Sequence, residues 1–166
     1  MIAVYAGSFS PPTKGHLDII RRGSAMFDKL IVAVLSQEEK QYRFSPIDRW
    51  EMLRKITRDL PNVWVISDTG LLVDVVRREG ADVILRGLRN ASDLLFEMQM
   101  AEANRRIAGI ETVFISALPE YSMISSSIVR DCAAHGAPIE AMVPQEITGK
   151  IYAAYGVAPD AERKDY

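Results

Sequence analysis

Residues 2–17 read Ile2-Ala3-Val4-Tyr5-Ala6-Gly7-Ser8-Phe9-Ser10-Pro11-Pro12-Thr13-Lys14-Gly15-His16-Leu17, and this run decides the fold. It opens apolar and β-prone, as a strand buried on both faces does. Gly7 and Ser8 break the run, and a helical period takes over from His16 to about residue 27. A strand handed to a helix through a turn of small residues is the first half of a βαβ unit. The turn also has chemical content. A helix N-terminus carries unpaired N–H groups and about +0.5 of a charge, so it attracts phosphate. His16, in the first helical turn, adds a side-chain donor at the same place. The plainer reading is an ordinary strand–loop–helix connection with a surface histidine, and a Gly-His pair does not choose between the two.

The same alternation continues outward. Short apolar runs at 2–6, 30–35, 63–67, 83–86 and 112–116 read as strands. Helical patterns at 16–27, 46–59, 71–79 and 92–108 lie between them. Ser45 followed by Pro46 is an N-cap with proline at the first helical position. Gly80 after Arg77-Arg78-Glu79 is a helix stop. A helical stretch at 128–134 holds Cys132, and Pro138 and Pro144 bracket a short helical C-terminal region. Strict alternation predicts an α/β fold: a doubly wound, Rossmann-like, five-stranded parallel sheet of order 3-2-1-4-5 with helices on both faces. No linker or repeat divides the chain. Residues 1–156 therefore read as one domain and 157–166 as a polar, frayed tail. In that strand order the ligand crevice lies between strands 1 and 4, at their carboxyl ends.

Bulk properties narrow the function. The 166 residues carry 48% apolar and 25% charged side chains and a formal net charge of −2. No global positive field recruits nucleic acid or a membrane, so an anionic ligand must be held by a local cluster of cations. The single cysteine excludes an internal disulfide and fits a reducing cytoplasm, and its place in a helical stretch predicts a small, buried or half-buried side chain. No apolar run is long enough to span a bilayer, and the start of the chain reads as a strand, without the basic region of a signal peptide.

The residues placed at the crevice are chemically uneven. Arg86-Gly87-Leu88-Arg89 sets two arginines around a glycine at the end of a buried strand. Guanidinium forks match phosphate oxygens two at a time. Surface salt bridges from these arginines to Asp93 or Glu97 are the plainer reading. Ser122-Met123-Ile124-Ser125-Ser126-Ser127 precedes a helix, where one serine caps and the others are free to donate to phosphate. No Gly-x-Ser-x-Gly elbow makes any of them a nucleophile. Lys40, in the polar loop after strand 2, leaves the sheet at the same edge, although a lone lysine in such a loop is usually just solvated. Glu97, Asn104 and Arg105 read first as a solvated helix face. Metal-ligand spacing, the Walker A sequence and Gly-x-Gly-x-x-Gly are all absent from the sequence.

Taken together, these residues resemble bacterial phosphopantetheine adenylyltransferases, of the nucleotidyltransferase superfamily with the [HT]-x-G-H signature. Thr13-Lys14-Gly15-His16 matches that signature. Arg86-Gly87-Leu88-Arg89, continuing through Asp93 and Glu97-Met98-Gln99 to Asn104-Arg105, is more specific to the family. Ile124-Ser125-Ser126-Ser127 matches the second superfamily signature. The resemblance spans about residues 2–150. It implies transfer of the adenylyl group of ATP to 4′-phosphopantetheine, giving dephospho-coenzyme A and pyrophosphate by in-line displacement without a covalent intermediate. By the same resemblance, ATP is contacted by Ser8, Phe9, His16, by Gly87, Leu88 and Arg89, by Glu97, and by Tyr121, Ser122, Met123, Ile124, Ser125, Ser126 and Ser127. Phosphopantetheine is contacted by Ser8, Lys40, Leu72 and Arg86, and the catalytic contacts are His16, Lys40 and Arg89. Magnesium held mainly through the ATP phosphates, a homo-hexamer, a cytoplasmic setting and feedback by coenzyme A are likewise what the resemblance implies. One position departs from it: Ser10 stands where the family usually has aspartate. Two other readings stay open, an adenylyltransferase for an acceptor such as nicotinamide mononucleotide and a non-catalytic adenine-nucleotide sensor on the same fold.

Overall fold

A computed structural model describes residues 1–36 and 42–157. Five parallel strands form one sheet in the order β3-β2-β1-β4-β5, as expected. They are β1 (Ile2–Gly7), β2 (Lys29–Leu35), β3 (Val63–Asp68), β4 (Val83–Leu88) and β5 (Glu111–Ser116). The helices are α1 (Lys14–Met26), α2 (Pro46–Ile56), α3 (Leu72–Arg78), α4 (Ala91–Ala108), α5 (Ser126–Ala134) and α6 (Gln145–Ala154), with a short 3-10 turn at Pro119–Tyr121.

Period-two alternation along the central strands divides the core between the faces. Ala3 and Tyr5 of β1, with Leu30, Val32 and Val34 of β2, join the large cluster that also takes Ile19 and Ile20 of α1, Met52 and Leu53 of α2, and Ile147 and Ile151 of α6. Val4, Ala6, Ile31 and Ala33 point the other way, into a smaller cluster with Val73, Val75 and Val76 of α3. Trp50 packs against the large cluster and donates its indole N–H to the Val65 carbonyl at 2.9 Å, whereas Trp64 and Met100 stay exposed. Cys132 is half-buried against the same cluster.

The caps follow the sequence. Ser45 caps α2 in a reciprocal box with Asp48, with Pro46 at the first helical position. Gly80 follows α3 at a φ of +62°. Several boundaries differ from expectation; α2, for one, ends at Ile56 rather than at 59. β4 runs two residues further and includes Gly87 and Leu88, because its ladder with β5 continues to Leu88–Ser116. α5 begins at Ser126 rather than at 128. Between Pro138 and Pro144 the chain makes a turn closed by the N–H groups of Met142 and Val143 on the Ile139 carbonyl, and the expected C-terminal helix starts only after Pro144. Proline has no N–H to give a helix interior, so here it leads the helix in. Lys40 and residues 158–166 lie outside the described residues.

Candidate active site

The crevice opens where the sheet comes apart. β1 pairs with β2 as far as Gly7–Val34, but with β4 only as far as Tyr5–Leu85. Beyond that point Ala6 and Gly7 separate from Arg86 and Gly87. A cavity of about 340 Å³ fills the gap, roofed by α1, α4 and the start of α5. Gly87 is needed on its floor, since a Cβ there would come within 2.9 Å of Ile19 of α1.

His16 is set by its own helix end. Thr13 is the N-cap of α1, and its Oγ1 accepts from the His16 backbone N–H at 3.3 Å. In return the Thr13 backbone N–H donates to His16 Nδ1 at 3.0 Å. Nδ1 must therefore hold a lone pair, and the ring proton sits on Nε2. Burial, with Arg89 and Arg86 adding repulsion, lowers the His16 pKa to about 4. At neutral pH the group is a neutral Nε2–H donor in the cavity wall. Phe9 wedges beside it, its ring edge-on to His16 at 5.1 Å and to Tyr5 at 5.4 Å. Phe9 holds a left-handed φ of 46°, a conformation that costs a non-glycine residue on the order of 1–3 kcal/mol and collects at functional sites. The backbone start of α1 is less open than expected, because the Lys14 N–H is already bonded to the Met142 carbonyl at 2.9 Å.

Both arginines of the β4 end line the cavity, and both carry the ion pairs of the plainer reading. Arg86 donates from Nε and Nη2 to the two Glu97 oxygens at 2.7 and 2.5 Å, and from Nη1 to the Ala6 carbonyl at 2.5 Å. That carbonyl lies past the end of the β1–β4 ladder, so the arginine bridges the opening. Burial works against the Arg86 charge, but the Glu97 bonds outweigh it and raise its pKa. Arg89 makes a two-point pair with Asp93 one helical turn on, at 2.8 and 3.1 Å, and keeps an exposed guanidinium. The Arg89 bond in turn holds the Asp93 carboxyl below its usual range.

The serines divide their work. Ser125 caps α5 through the Ile128 N–H at 3.2 Å. Ser126 donates to the Pro11 carbonyl at 2.8 Å, tying α5 to the β1–α1 loop. Ser127 Oγ accepts from Arg130, whose other terminal nitrogen donates to the Ser10 carbonyl at 2.6 Å. The backbone N–H groups of Ser126 and Ser127, in the first turn of α5, are outside the helix ladder and available to an anion. Ser10 is buried, and its Oγ finds no partner among the described residues.

Residues 4–132 match the model of the cytidylyltransferase-like family. A phosphopantetheine adenylyltransferase from Moorella thermoacetica is 47% identical over 93% of this chain and 98% of its own length. One from Synechocystis sp. is 48% identical over the same shares. The chain belongs to the phosphopantetheine adenylyltransferase family. A crystal structure from Vibrio parahaemolyticus, assigned provisionally as a nicotinate-nucleotide adenylyltransferase, superposes with a TM-score of 0.65 over 90% of this chain and 97% of that one at 17% identity, a likeness of fold.

Of the residues implied for this family, Ser8, Phe9, His16, Arg86, Gly87 and Arg89 surround the cavity, together with Glu97, Tyr121, Ile124 and the three serines 125–127. Leu88 does not line the cavity. Ser122 closes its own turn on the Pro119 carbonyl, and Met123 is 83% exposed outside the wall. Leu72 packs instead against the smaller core cluster. The sequence reading missed Tyr5, Ile19 and Ala117 in the wall, and the Arg130 strut. Arg130 stands one helical turn after Ser126 and Ser127, and that spacing was a usable signal. Tyr5 carried only a core signal; burial pushes its phenol up to about 12, so it stays protonated.

Proposed function

We propose that this crevice transfers the adenylyl group of ATP to 4′-phosphopantetheine, releasing pyrophosphate and dephospho-coenzyme A. The observation that carries the reading is one cavity in which a neutral histidine donor, two arginines and a helix N-terminus converge. Such a site suits phosphoryl chemistry that needs placement and charge stabilisation rather than proton abstraction. The acceptor is a phosphate monoester whose second pKa is about 6, so it arrives deprotonated. One of its oxygens forms the new bond to the α-phosphorus as the bond to the bridging oxygen of pyrophosphate breaks. On this reading the His16 Nε2–H meets the α-phosphate, where charge builds. Arg86, set by Glu97 and the Ala6 carbonyl, and Lys40 hold the acceptor phosphate. Arg89 and the first turn of α5 hold the β- and γ-phosphates.

Magnesium fits as a passenger of the nucleotide. Among the described residues no group of three or more His, Cys, Asp or Glu is placed to hold a metal ion, and the wall carboxylates Asp93 and Glu97 are committed to arginines. A small hard cation carried on ATP phosphates with its own waters needs no protein cage and supplies charge neutralisation. The assembly we propose is a homo-hexamer, supported by the uncovered apolar side chains of α4. Coenzyme A, which shares the acceptor's phosphopantetheine arm, is the proposed feedback ligand of the same crevice, and the cytoplasm is the proposed setting. Among the described residues no helix is long and apolar enough to cross a membrane, and no nucleic-acid or membrane partner is proposed.

Pyrophosphate release from ATP tests the reading, run separately with 4′-phosphopantetheine, with nicotinate and nicotinamide mononucleotides, and with no acceptor. Release with phosphopantetheine alone is the expected result. Release with a mononucleotide alone reassigns the acceptor, and ATP binding without release in any arm makes the protein a nucleotide sensor.

A further inference from the structure

Tyr5 is the last residue of β1 to pair with β4, opposite Leu85, and the crevice opens directly beyond it. Its ring belongs to the large core cluster with Ala3, Ile19, Ile20 and Leu85, and the residue is only 6% exposed. Packing accounts for the ring and leaves the hydroxyl unexplained. A buried tyrosine usually finds a partner for its O–H, because an unpaired buried polar group costs free energy. Among the described residues the Tyr5 hydroxyl has no hydrogen-bond partner, and the ring meets Phe9 edge-on at 5.4 Å. Phenylalanine would fill the same space without that cost.

The surroundings of the hydroxyl suit a phosphate. Tyr5 lines the cavity that His16, Arg86 and Arg89 also line. Phe9 stands edge-on to both Tyr5 and His16, so one packed row of rings carries two donors. Burial holds the phenol pKa at about 12, and among the charges Arg86 acts on it most, followed by Glu97 and Arg89. At neutral pH the group therefore offers an O–H and brings no negative charge of its own. Its position is central: Ser8 and His16 belong to the β1–α1 side of the crevice and Arg86 and Arg89 to the β4 side, while Tyr5 sits at the fork between them.

We infer that the Tyr5 hydroxyl donates to an oxygen of the α-phosphoryl group, as a second neutral donor beside His16 on the floor of the crevice. The contact rests on the adenylyl-transfer reading and adds to it a residue that no motif of the chain names. The ring then serves the core and the hydroxyl serves the substrate, so the two roles separate by removing one oxygen atom.

Tyr5→Phe in the full-length protein makes that separation. Its thermal unfolding midpoint holds or rises, because the hydroxyl leaves no partner behind. In the same variant kcat/KM for pyrophosphate release falls about tenfold to a hundredfold in each substrate, the loss of one bond to a charged group. The wild type supplies a check that needs no substitution: with 13C-labelled tyrosine, the Tyr5 Cζ resonance moves on adding ATP and stays in place on adding adenosine, which lacks the phosphates. A kcat/KM within twofold of wild type overturns the inference and leaves Tyr5 a core residue, whatever happens to the midpoint. A resonance that ignores ATP, or that moves as far with adenosine, overturns it as well. If Tyr5→Phe does not fold, the wild-type resonance alone decides. A wild type that releases no pyrophosphate with phosphopantetheine overturns the proposed function, and the comparison of ATP with adenosine still decides whether the phenol meets phosphate.

Discussion

Helices α1 and α4 flank the same crevice and are supported in opposite ways. α1 is 13 residues long, buries Ile19 and Ile20 in the larger core, and presents His16 from its first turn. α4 is 18 residues long and buries none of its side chains, yet it presents Asp93 and Glu97. Its outer side leaves Leu95 67% and Phe96 60% exposed. Burying a leucine or phenylalanine gains about 1.5–3 kcal/mol, so the α1 donor rests on packing internal to the chain. The α4 carboxylates rest on their arginine pairs and on whatever covers the outer face. In the proposed transfer the division of work follows: the packed helix carries the donor proposed to meet the transition state, and the uncovered helix sets the angle of two arginines.

The sharpest way to break that comparison is His16→Ala. Losing one preorganised donor costs about 2.7–4 kcal/mol of barrier, so kcat falls about a hundredfold to a thousandfold. ATP affinity, measured by calorimetry, changes little. Near-normal turnover would remove α1 from the chemistry. The histidine is neutral above about pH 4, so an acid limb in the wild-type rate near pH 6 belongs to the acceptor phosphate, whose second pKa is about 6. As an independent check, nitrogen NMR of His16 should report the Nε2–H tautomer through pH 6 and protonation only near 4. The sign for stability follows from the lowered pKa. Between about pH 6.5 and 4 the unfolded chain binds more protons at this site, so its contribution is present above pH 6.5 and is lost as pH falls through that window.

Glu97→Gln probes the other helix. It removes the charge that fixes Arg86 while keeping one acceptor oxygen. Bonds to charged groups are worth about 1.5–3 kcal/mol, so the KM for phosphopantetheine rises roughly tenfold or somewhat more. Steady-state kinetics in each substrate decides the matter. If the KM for ATP rises instead, Glu97 meets the nucleotide directly, as the family resemblance implied, and its pairing with Arg86 does not set the acceptor site.

How much of this was legible depended on whether a residue's role is local. The strands were readable as short apolar, β-prone runs, continuous in β1 and β2, which are buried on both faces, and still apolar in the more exposed edge strands β3 and β5. The switch point followed from their order, and the cap of α2 followed from Ser45 and Pro46. β4 was read too short because Gly87 looks like a turn, whereas its reason is the approach of Ile19 from a helix about 70 residues earlier. Arg49 left a faint mark, a cation in the apolar stripe of α2, but its partners at Ser8 and Ser36 are long-range. On α4 the apolar residues Leu94, Leu95, Phe96, Met98 and Met100 follow no single face, and no period separates core from contact surface. Met123 and Leu72 were named only through the family resemblance, and neither lines the cavity.

Leu95→Asp asks what covers α4. If its outer face is an interface between copies, an unpaired carboxylate there is buried without a partner, and light scattering on a sizing column shows a species smaller than a hexamer. Turnover then falls by only about twofold to fivefold, because the Arg86–Glu97 and Arg89–Asp93 pairs are internal to the chain. An unchanged mass with unchanged kinetics would mean the exposed stripe is not the contact surface.

The smallest effect is expected at Thr13→Val, and it isolates what makes α1 rigid. Thr13 acts twice: its hydroxyl caps the helix and lies 3.0 Å from His16 Nδ1, and its backbone N–H donates to the same nitrogen. Valine keeps the buried volume and the backbone donor but loses the cap. Removing such a cap costs about 0.5–2 kcal/mol of stability, readable as a shift in the denaturant midpoint. The tautomer survives, because the backbone bond alone forces the proton onto Nε2, so kcat stays within about threefold. A fall in kcat as deep as that of His16→Ala would show that the hydroxyl itself meets phosphate, and the donor would then be a pair of residues in the first turn of α1 rather than the imidazole alone.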